Sequence, residues 1–307
     1  MMLPDRPTPD RPAPDRRDPD HPAPGIRRLL APNPSPLTGT GTNSYIIGTG
    51  SVAVIDPGPA LPGHLDALLA ALAPGETVSH ILVTHAHLDH SALAPALAAR
   101  TGATVAAFGP ATSGRSDLMT RLAPYLPGGG EGLDHSFRPD LILHDGDTLT
   151  GPDWSLRALH TPGHLGSHLC FAMSKILFSG DHVMGWSSSI VSPPDGDMGA
   201  YMRSLARLQQ EDWTLLLPGH GPTVANPTAR LQTLVLHRKG REAEILAALA
   251  SGPAHLAPLT AAIYHDTPAT LLPAAQRNVL AHLIDLIDRN LVTADRQPGP
   301  DALFSRH

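Results

Sequence analysis

Thr84-His85-Ala86-His87-Leu88-Asp89-His90 follows the apolar run Ile81-Leu82-Val83 and sets three imidazoles and a carboxylate within six residues, positions 85 to 90. His85 and His87 alternate, so on an extended segment leaving a strand both rings point to one side and can share a first cation. Asp89 and His90 are then available to a second. Neutral imidazole and carboxylate suit zinc, iron or manganese, and a thiolate site is excluded because Cys170 is the chain's only cysteine. A His-rich tract in a chain with 18 histidines can also bind metal without catalytic purpose. What separates the two readings is whether further ligands arrive from elsewhere.

Three more positions supply them. His164 closes Thr161-Pro162-Gly163-His164 after Trp154-Ser155-Leu156-Arg157-Ala158-Leu159, and Asp181 closes Ser179-Gly180-Asp181 after Ile176-Leu177-Phe178. His220 sits in Pro218-Gly219-His220-Gly221 after Trp213-Thr214-Leu215-Leu216-Leu217. Each preceding run is short, apolar or alternating and bounded by turn residues, the pattern of a strand end. Polar groups at the same end of four strands converge on one rim of a sheet, where loops position chemistry on a rigid scaffold. Pro and Gly before His164 and His220 suit tight turns that aim an imidazole back across the strand ends.

The order HxHxDH, TPGH, GD, PGHG resembles the metallo-beta-lactamase-fold superfamily over roughly residues 28–236. That resemblance implies an α+β fold, an αββα sandwich, with His85, His87 and His164 on one metal ion, Asp89, His90 and His220 on the other, and Asp181 bridging both. It implies two divalent ions as cofactors, zinc foremost with manganese or iron as alternatives, about 3.5 to 4 Å apart and sharing a hydroxide. Coordination lowers the pKa of water from about 15.7 to near 7, which makes that hydroxide available at neutral pH. Asp181 keeps the ions close, and Asp89 is both ligand and proton carrier. Asp56, in Val54-Ile55-Asp56-Pro57-Gly58, matches a position that holds the first metal loop by hydrogen bonds in the family, and reads equally as a turn former before proline. His160, His168 and His182 flank the ligands and read as supporting histidines, while Cys170 inside Leu169-Cys170-Phe171 reads as core.

The 307 residues allow one large domain plus an appendage. Residues 1–25 repeat Pro-Asp-Arg from Pro4, Pro9 and Pro14 with almost nothing apolar, so a disordered, partly polyproline tail is expected there. The acids Asp5, Asp10, Asp15, Asp18 and Asp20 argue against a signal peptide or a mitochondrial presequence. No apolar run approaches the roughly 18 residues that span a bilayer, so no membrane association is expected. A single cysteine fits a reducing compartment, and the cytoplasm is the expected location.

Between the motifs, residues 44–47 and 52–55 read as a hairpin, and 65–72 and 91–100 as helices. The Gly-rich stretch 109–140 is too long for an ordinary connection and reads as a lid whose Arg115, Arg121 and Arg138 are solvated or meet an anion. Residues 185–199, with Ser187-Ser188-Ser189, are expected to overhang the metals and touch substrate. Tyr201, Leu205 and Leu208 form a helical stripe for the core. After a catalytic unit at 26–236, residues 237–307 read as helices over 241–250, 259–264 and 274–290 and then a small wing, 291–294 with 302–304. That order is a winged helix.

Net charge is −6 and the basic residues from Arg238 to Arg306 are matched one for one by acids from Glu242 to Asp301, which is no phosphate-binding surface. The segment Gly180-Asp181-His182-Val183-Met184-Gly185, the Tyr201 helix, Pro222, His237-Arg238 and the winged tail together resemble the beta-lactamase-like protein 2 family. The resemblance implies either a single-strand endoribonuclease, as in animal members, or a thioesterase, as in fungal relatives. The charge balance favours a hydrolase of small esters, thioesters or lactones over single-stranded RNA as partner. A mononuclear iron persulfide dioxygenase on the same fold is the third expectation.

Overall fold

Short, mostly apolar runs build two sheets whose central strands are buried on both faces in the computed structural model, which describes residues 19–127 and 132–307. The first sheet runs in chain order through β1 (Asp20–Ala23), β2 (Ile26–Leu30), β3 (Asn43–Ile47), β4 (Ser51–Ile55), β5 (Thr77–Leu82), β6 (Thr104–Ala107) and β7 (Leu141–Ile142). The second holds β8 (Thr148–Thr150), β9 (Ser155–His160), β10 (Leu169–Met173), β11 (Ile176–Gly180) and β12 (Leu215–Pro218), in the order β12-β11-β10-β9-β8. Strands β4 to β7 pair in parallel, as do β11 and β12. The helices between them are α1 (Pro62–Ala70), α2 (Leu88–Ser91), α3 (Ala94–Thr101), α4 (Asp117–Leu122), α5 (Met198–Leu208) and α6 (Pro227–Ala250).

Side chains two apart on a strand share a face. In β4, Val52 and Val54 pack with Leu68 of α1 and Leu97 of α3, whereas Ala53 and Ile55 pack with Phe171 and Phe178 of the opposite sheet. In β10 and β11, Cys170, Ala172 and Leu177 face the other way, toward Tyr201, Leu205 and Leu208 of α5 and Leu231 and Leu234 of α6. The layers are therefore helix, sheet, sheet, helix. Phe171 and Phe178 are both fully buried between the sheets, each worth about 1.5–3 kcal/mol of transfer free energy.

The chain then adds α7 (Leu256–Ile263), α8 (Leu272–Asp288) and the antiparallel strands β13 (Ala254–His255), β14 (Val292–Ala294) and β15 (Leu303–Arg306), in the order β13-β15-β14. Phe304 of β15 lies in one cluster with Leu259, Val279 and Leu283, so the wing seats on its helices. This is the winged helix expected from the sequence.

Several local expectations need correcting. The helix expected at 241–250 is the last part of a 24-residue α6 that starts at Pro227, where the Asn226 side chain accepts from Ala229 N at 3.1 Å. It runs unbroken through position 236. Leu231, Leu234, Arg238, Ile245 and Leu249 are its buried stripe, and the arginine inside that stripe is what hid its continuity. The supposed lid at 109–140 contains α4, capped by Ser116, whose Met119 and Leu122 pack into the C-terminal cluster instead of hovering over the site. Its arginines are partly engaged: Arg115 pairs with Asp195, and Arg138 donates to the carbonyls of His135 and Phe137. Strand β1 falls within the segment expected to be a tail, because its backbone pairs with β2 and Asp20 pairs with Arg28 without needing apolar side chains. The rest of that expectation, residues 1–18, lies outside the described residues, as does the glycine run from position 128. Among the described residues no helix is long and apolar enough to cross a membrane.

Candidate metal centre

Four strand ends deliver the chemistry. β5 runs into His85, β9 into His164, β11 into Asp181 and β12 into His220, while His87 precedes the single turn α2 that carries Asp89 and His90. His87 Nδ1 lies 2.9 Å from His85 Nε2 and 3.1 Å from His164 Nε2. His220 Nε2 lies 3.3 Å from His90 Nε2 and 3.2 Å from Asp89 Oδ2. The Asp181 carboxylate reaches both groups, with Oδ1 3.5 Å from His90 Nε2 and Oδ2 3.8 Å from His164 Nε2 and 3.3 Å from His220 Nε2. All seven residues singled out as ligands are thus brought together.

Donor atoms around a tetrahedral zinc with bonds of 2.0–2.1 Å stand about 3.3 Å from one another. The distances here bracket that value. The hydrogen-bond pattern argues the same way, because ring nitrogens packed face to face need lone pairs, and each lone pair is fixed by a donor on the far side of its ring. His85 Nδ1 donates to Thr84 Oγ1 at 2.9 Å, and that hydroxyl donates to Asp56 Oδ2 at 2.8 Å. His90 Nδ1 donates to Asp56 Oδ2 at 2.9 Å, His164 Nδ1 to Ile190 O at 2.7 Å, and His220 Nδ1 to Gly41 O at 3.1 Å. Four rings therefore turn Nε2 to the centre. Asp181 Oδ1 is buried there with no hydrogen-bond partner among the described residues, which a cation would remedy.

Electrostatics divide the centre in two. Burial pushes His87 down to about 3, and burial together with His90 and His87 pushes His85 well below the ordinary histidine range, so these two rings are neutral. In the other group burial opposes charge as well, but Asp181 and Asp89 overcome it and raise His220 to about 9. Burial would raise Asp89, yet the neighbouring His90 and His220 bring it down to about 2. Two carboxylates thus draw in positive charge, which a divalent ion would supply if it displaced those protons.

Asp56 settles into both roles left open by its sequence. It takes a left-handed backbone conformation, φ 49°, before Pro57, and it accepts from Thr84 N and Thr84 Oγ1 at 2.8 Å each besides His90. Gly219 is a steric requirement: a Cβ there would stand 2.5 Å from Asp181 Oδ1 and 2.6 Å from His90 Cε1. His168 supports Asp181 from behind, its Nε2 accepting the Asp181 amide proton at 3.2 Å while Nδ1 donates to Thr161 Oγ1 at 2.9 Å. Ser189, expected to touch substrate, is buried and bonds the Asp181 and His182 carbonyls instead. The exposed group in that segment is Trp186, which packs on Gly221 and Gly39 beside His220. The sequence reading named Thr84, Ser189 and Arg238 without these supporting roles and did not name Asn278, which no spacing marks. A cleft of about 660 Å³ between α4 and α8 shares no residue with the seven.

A helix-sheet-sheet-helix sandwich with a five-His, two-Asp cluster at its strand ends defines a class of metal-binding protein. The chain belongs to the metallo-beta-lactamase superfamily, matched over residues 37–220, and carries a beta-lactamase associated winged helix domain matched over 256–299. It is 30% identical over 274 residues to the beta-lactamase-like protein 2 homolog of Drosophila melanogaster, covering 85% of this chain and 87% of that one. It is 32% identical over 231 residues to the lactamase-like protein adaB of Aspergillus niger, covering 73% of this chain and 63% of that one. The atrochrysone carboxyl ACP thioesterase AgnL7 of Paecilomyces divaricatus is 32% identical over 236 residues, with 74% and 65% covered. The chain spans less than two thirds of the length of these two fungal relatives. A beta-lactamase domain protein of Burkholderia ambifaria superposes with a TM-score of 0.79 at 21% identity, over 96% of this chain and 95% of that one, which supports the fold.

Proposed function

We propose that the chain is a dinuclear metal-dependent hydrolase of a small ester, thioester or lactone, working in the cytoplasm. His85, His87, His164 and Asp181 would hold one divalent ion and Asp89, His90, His220 and Asp181 the other, with zinc the favoured metal. The observation that carries this reading is the inward set of ring nitrogens around an Asp181 oxygen that has no hydrogen bond among the described residues. When bound, such ions lower the pKa of water and polarise a carbonyl or phosphoryl oxygen. The chain's own part is to fix the donors, exclude alternative ring tautomers and move the proton. Asp89, the most exposed of the carboxylates with 26% of its side chain open, is placed to take a proton at Oδ1 while Oδ2 stays with His220. Asp181 stays ionised between the two groups, held well down by His220 and His90 against the effect of burial.

The rim supports an acyl substrate. Leu88 and Trp186, 48% and 39% exposed, flank the cluster with apolar surface. Two nearby cations are already committed, Arg115 to Asp195 and Arg230 to the carbonyls of Met184 and Ser187. A relative that is a thioesterase by name accords with this choice. We place the functional junction between catalytic unit and winged-helix-like unit at 236/237, inside α6.

The test is metal analysis of natively purified protein, followed by a panel of acyl-thioesters, lactones, beta-lactams and single-stranded RNA. Two ions per chain and turnover of a small acyl substrate with little salt dependence are expected. Steeply salt-sensitive RNA cutting would move the reading to an endoribonuclease, since each phosphate contact on a single strand contributes about −0.7 to the log–log salt slope. One iron with oxygen uptake would move it to a persulfide dioxygenase.

A further inference from the structure

We propose that Asn278 of α8 and Arg238 of α6 are positioning residues for the metal centre, acting through a three-residue strap, Ser189-Ile190-Val191; the proposal rests on the metal-centre reading above. The strap touches His164 of the first group and Asp181, the residue shared by both. The Ile190 carbonyl accepts from His164 Nδ1 at 2.7 Å, which is what leaves His164 Nε2 bare toward His87. The Ser189 hydroxyl bonds the Asp181 carbonyl and lies 3.0 Å from that of His182, fixing the peptide that carries the bridging carboxylate.

The strap is in turn clamped from the C-terminal side. Val191 N donates to Asn278 Oδ1 at 3.1 Å, and Arg238 Nη2 donates to the Ser189 carbonyl. Arg238 Nη1 donates to the same Asn278 oxygen at 3.2 Å, while Asn278 Nδ2 donates to Ala274 O at 3.3 Å, one turn back along α8. A guanidinium only 2% exposed is costly unless its donors are met. Here Nη2 meets a carbonyl, Nη1 an amide oxygen and the group as a whole the face of Tyr201, 5.0 Å from the ring centroid, while Nε meets no acceptor among the described residues; Tyr201 itself donates to the His182 carbonyl at 3.0 Å. Every bond in the chain from Asn278 to His164 and Asp181 is therefore to backbone or to a fixed side chain. The winged-helix segment thus governs metal geometry without touching substrate, because outer partners fix which nitrogen a ligating histidine presents.

The experiment compares zinc retention against a chromogenic chelator in full-length wild type, Asn278→Ala, Asn278→Asp and Ser189→Ala, with melting of the metal-stripped proteins alongside. Asn278→Ala and Ser189→Ala are expected to hold zinc about 10-fold more weakly. Asn278→Asp keeps an acceptor for Val191 and Arg238 and is expected to match the wild type. Wild-type retention in Asn278→Ala, or equal weakening in Asn278→Asp, overturns the proposal, as does a lowered melting temperature with zinc retention unchanged. If Asn278→Ala does not fold, Ser189→Ala decides by the same measure. A wild type that holds no zinc sinks the metal-centre reading itself, whereas a loaded wild type with unaffected variants removes the strap alone.

Discussion

Asp56 accepts from His90 Nδ1 at 2.9 Å, and the opposite nitrogen of that ring, Nε2, stands 3.3 Å from His220 Nε2. One carboxylate outside the cluster therefore sets which face of a ligand is presented inside it.

Asp56→Asn replaces one acceptor oxygen by an NH2 group, which cannot accept from both His90 Nδ1 and the Thr84 hydroxyl. Metal affinity should fall about 10- to 100-fold, read by chelator competition. Undiminished affinity would mean that the ring is oriented by something else.

Asp181→Ala removes the carboxylate that reaches both donor sets and would leave two bound cations to repel each other. Hydrolysis should be abolished with the fold retained by circular dichroism. His168→Ala removes an acceptor for the Asp181 amide and should cost much less. Equal losses in the two variants would reassign the ligands.

His282 is 2% exposed with neither ring nitrogen meeting a partner among the described residues, and burial, helped by Arg238 and Arg241, pushes its pKa well below the ordinary value. Because the folded-state pKa is the lower one, the unfolded chain takes up the proton first, and stability is lost as pH falls below about 6.5. His282→Leu removes that proton-linked loss. In urea unfolding the variant should be at least as stable as wild type at about pH 8, with an advantage that grows toward about pH 5. A difference that stays constant with pH would contradict the assignment.

Leu122 of α4 is 5% exposed in the cluster formed with α7, α8 and β15. Leu122→Ala should destabilise the protein by about 2–5 kcal/mol in denaturant unfolding. A change near zero would show that α4 is not part of that core.

The sandwich was legible because strand alternation and strand-end motifs are local signals: His85, His164, Asp181 and His220 each follow an apolar run that the fold turns into a strand or its end. The C-terminal winged helix was legible for the same reason. What was hidden depends on long-range contact. Arg238 breaks a helical apolar stripe in sequence but fills a buried slot in space, so α6 read as a shorter helix. Ser189 sits in a serine run that looks like a polar surface loop, and only the fold brings Asn278, 87 residues from Val191, against it. The stretch containing α4 read as a lid because its apolar partners, Val279 and Leu283, lie far along the chain.

The 24 residues of α6 begin a few positions after His220 and end inside the C-terminal cluster. At 1.5 Å per residue that is a rod of about 36 Å. Arg238 sits midway along it. With no loop between its ends, α6 is one continuous hydrogen-bonded element that joins the C-terminal cluster to the segment that follows His220.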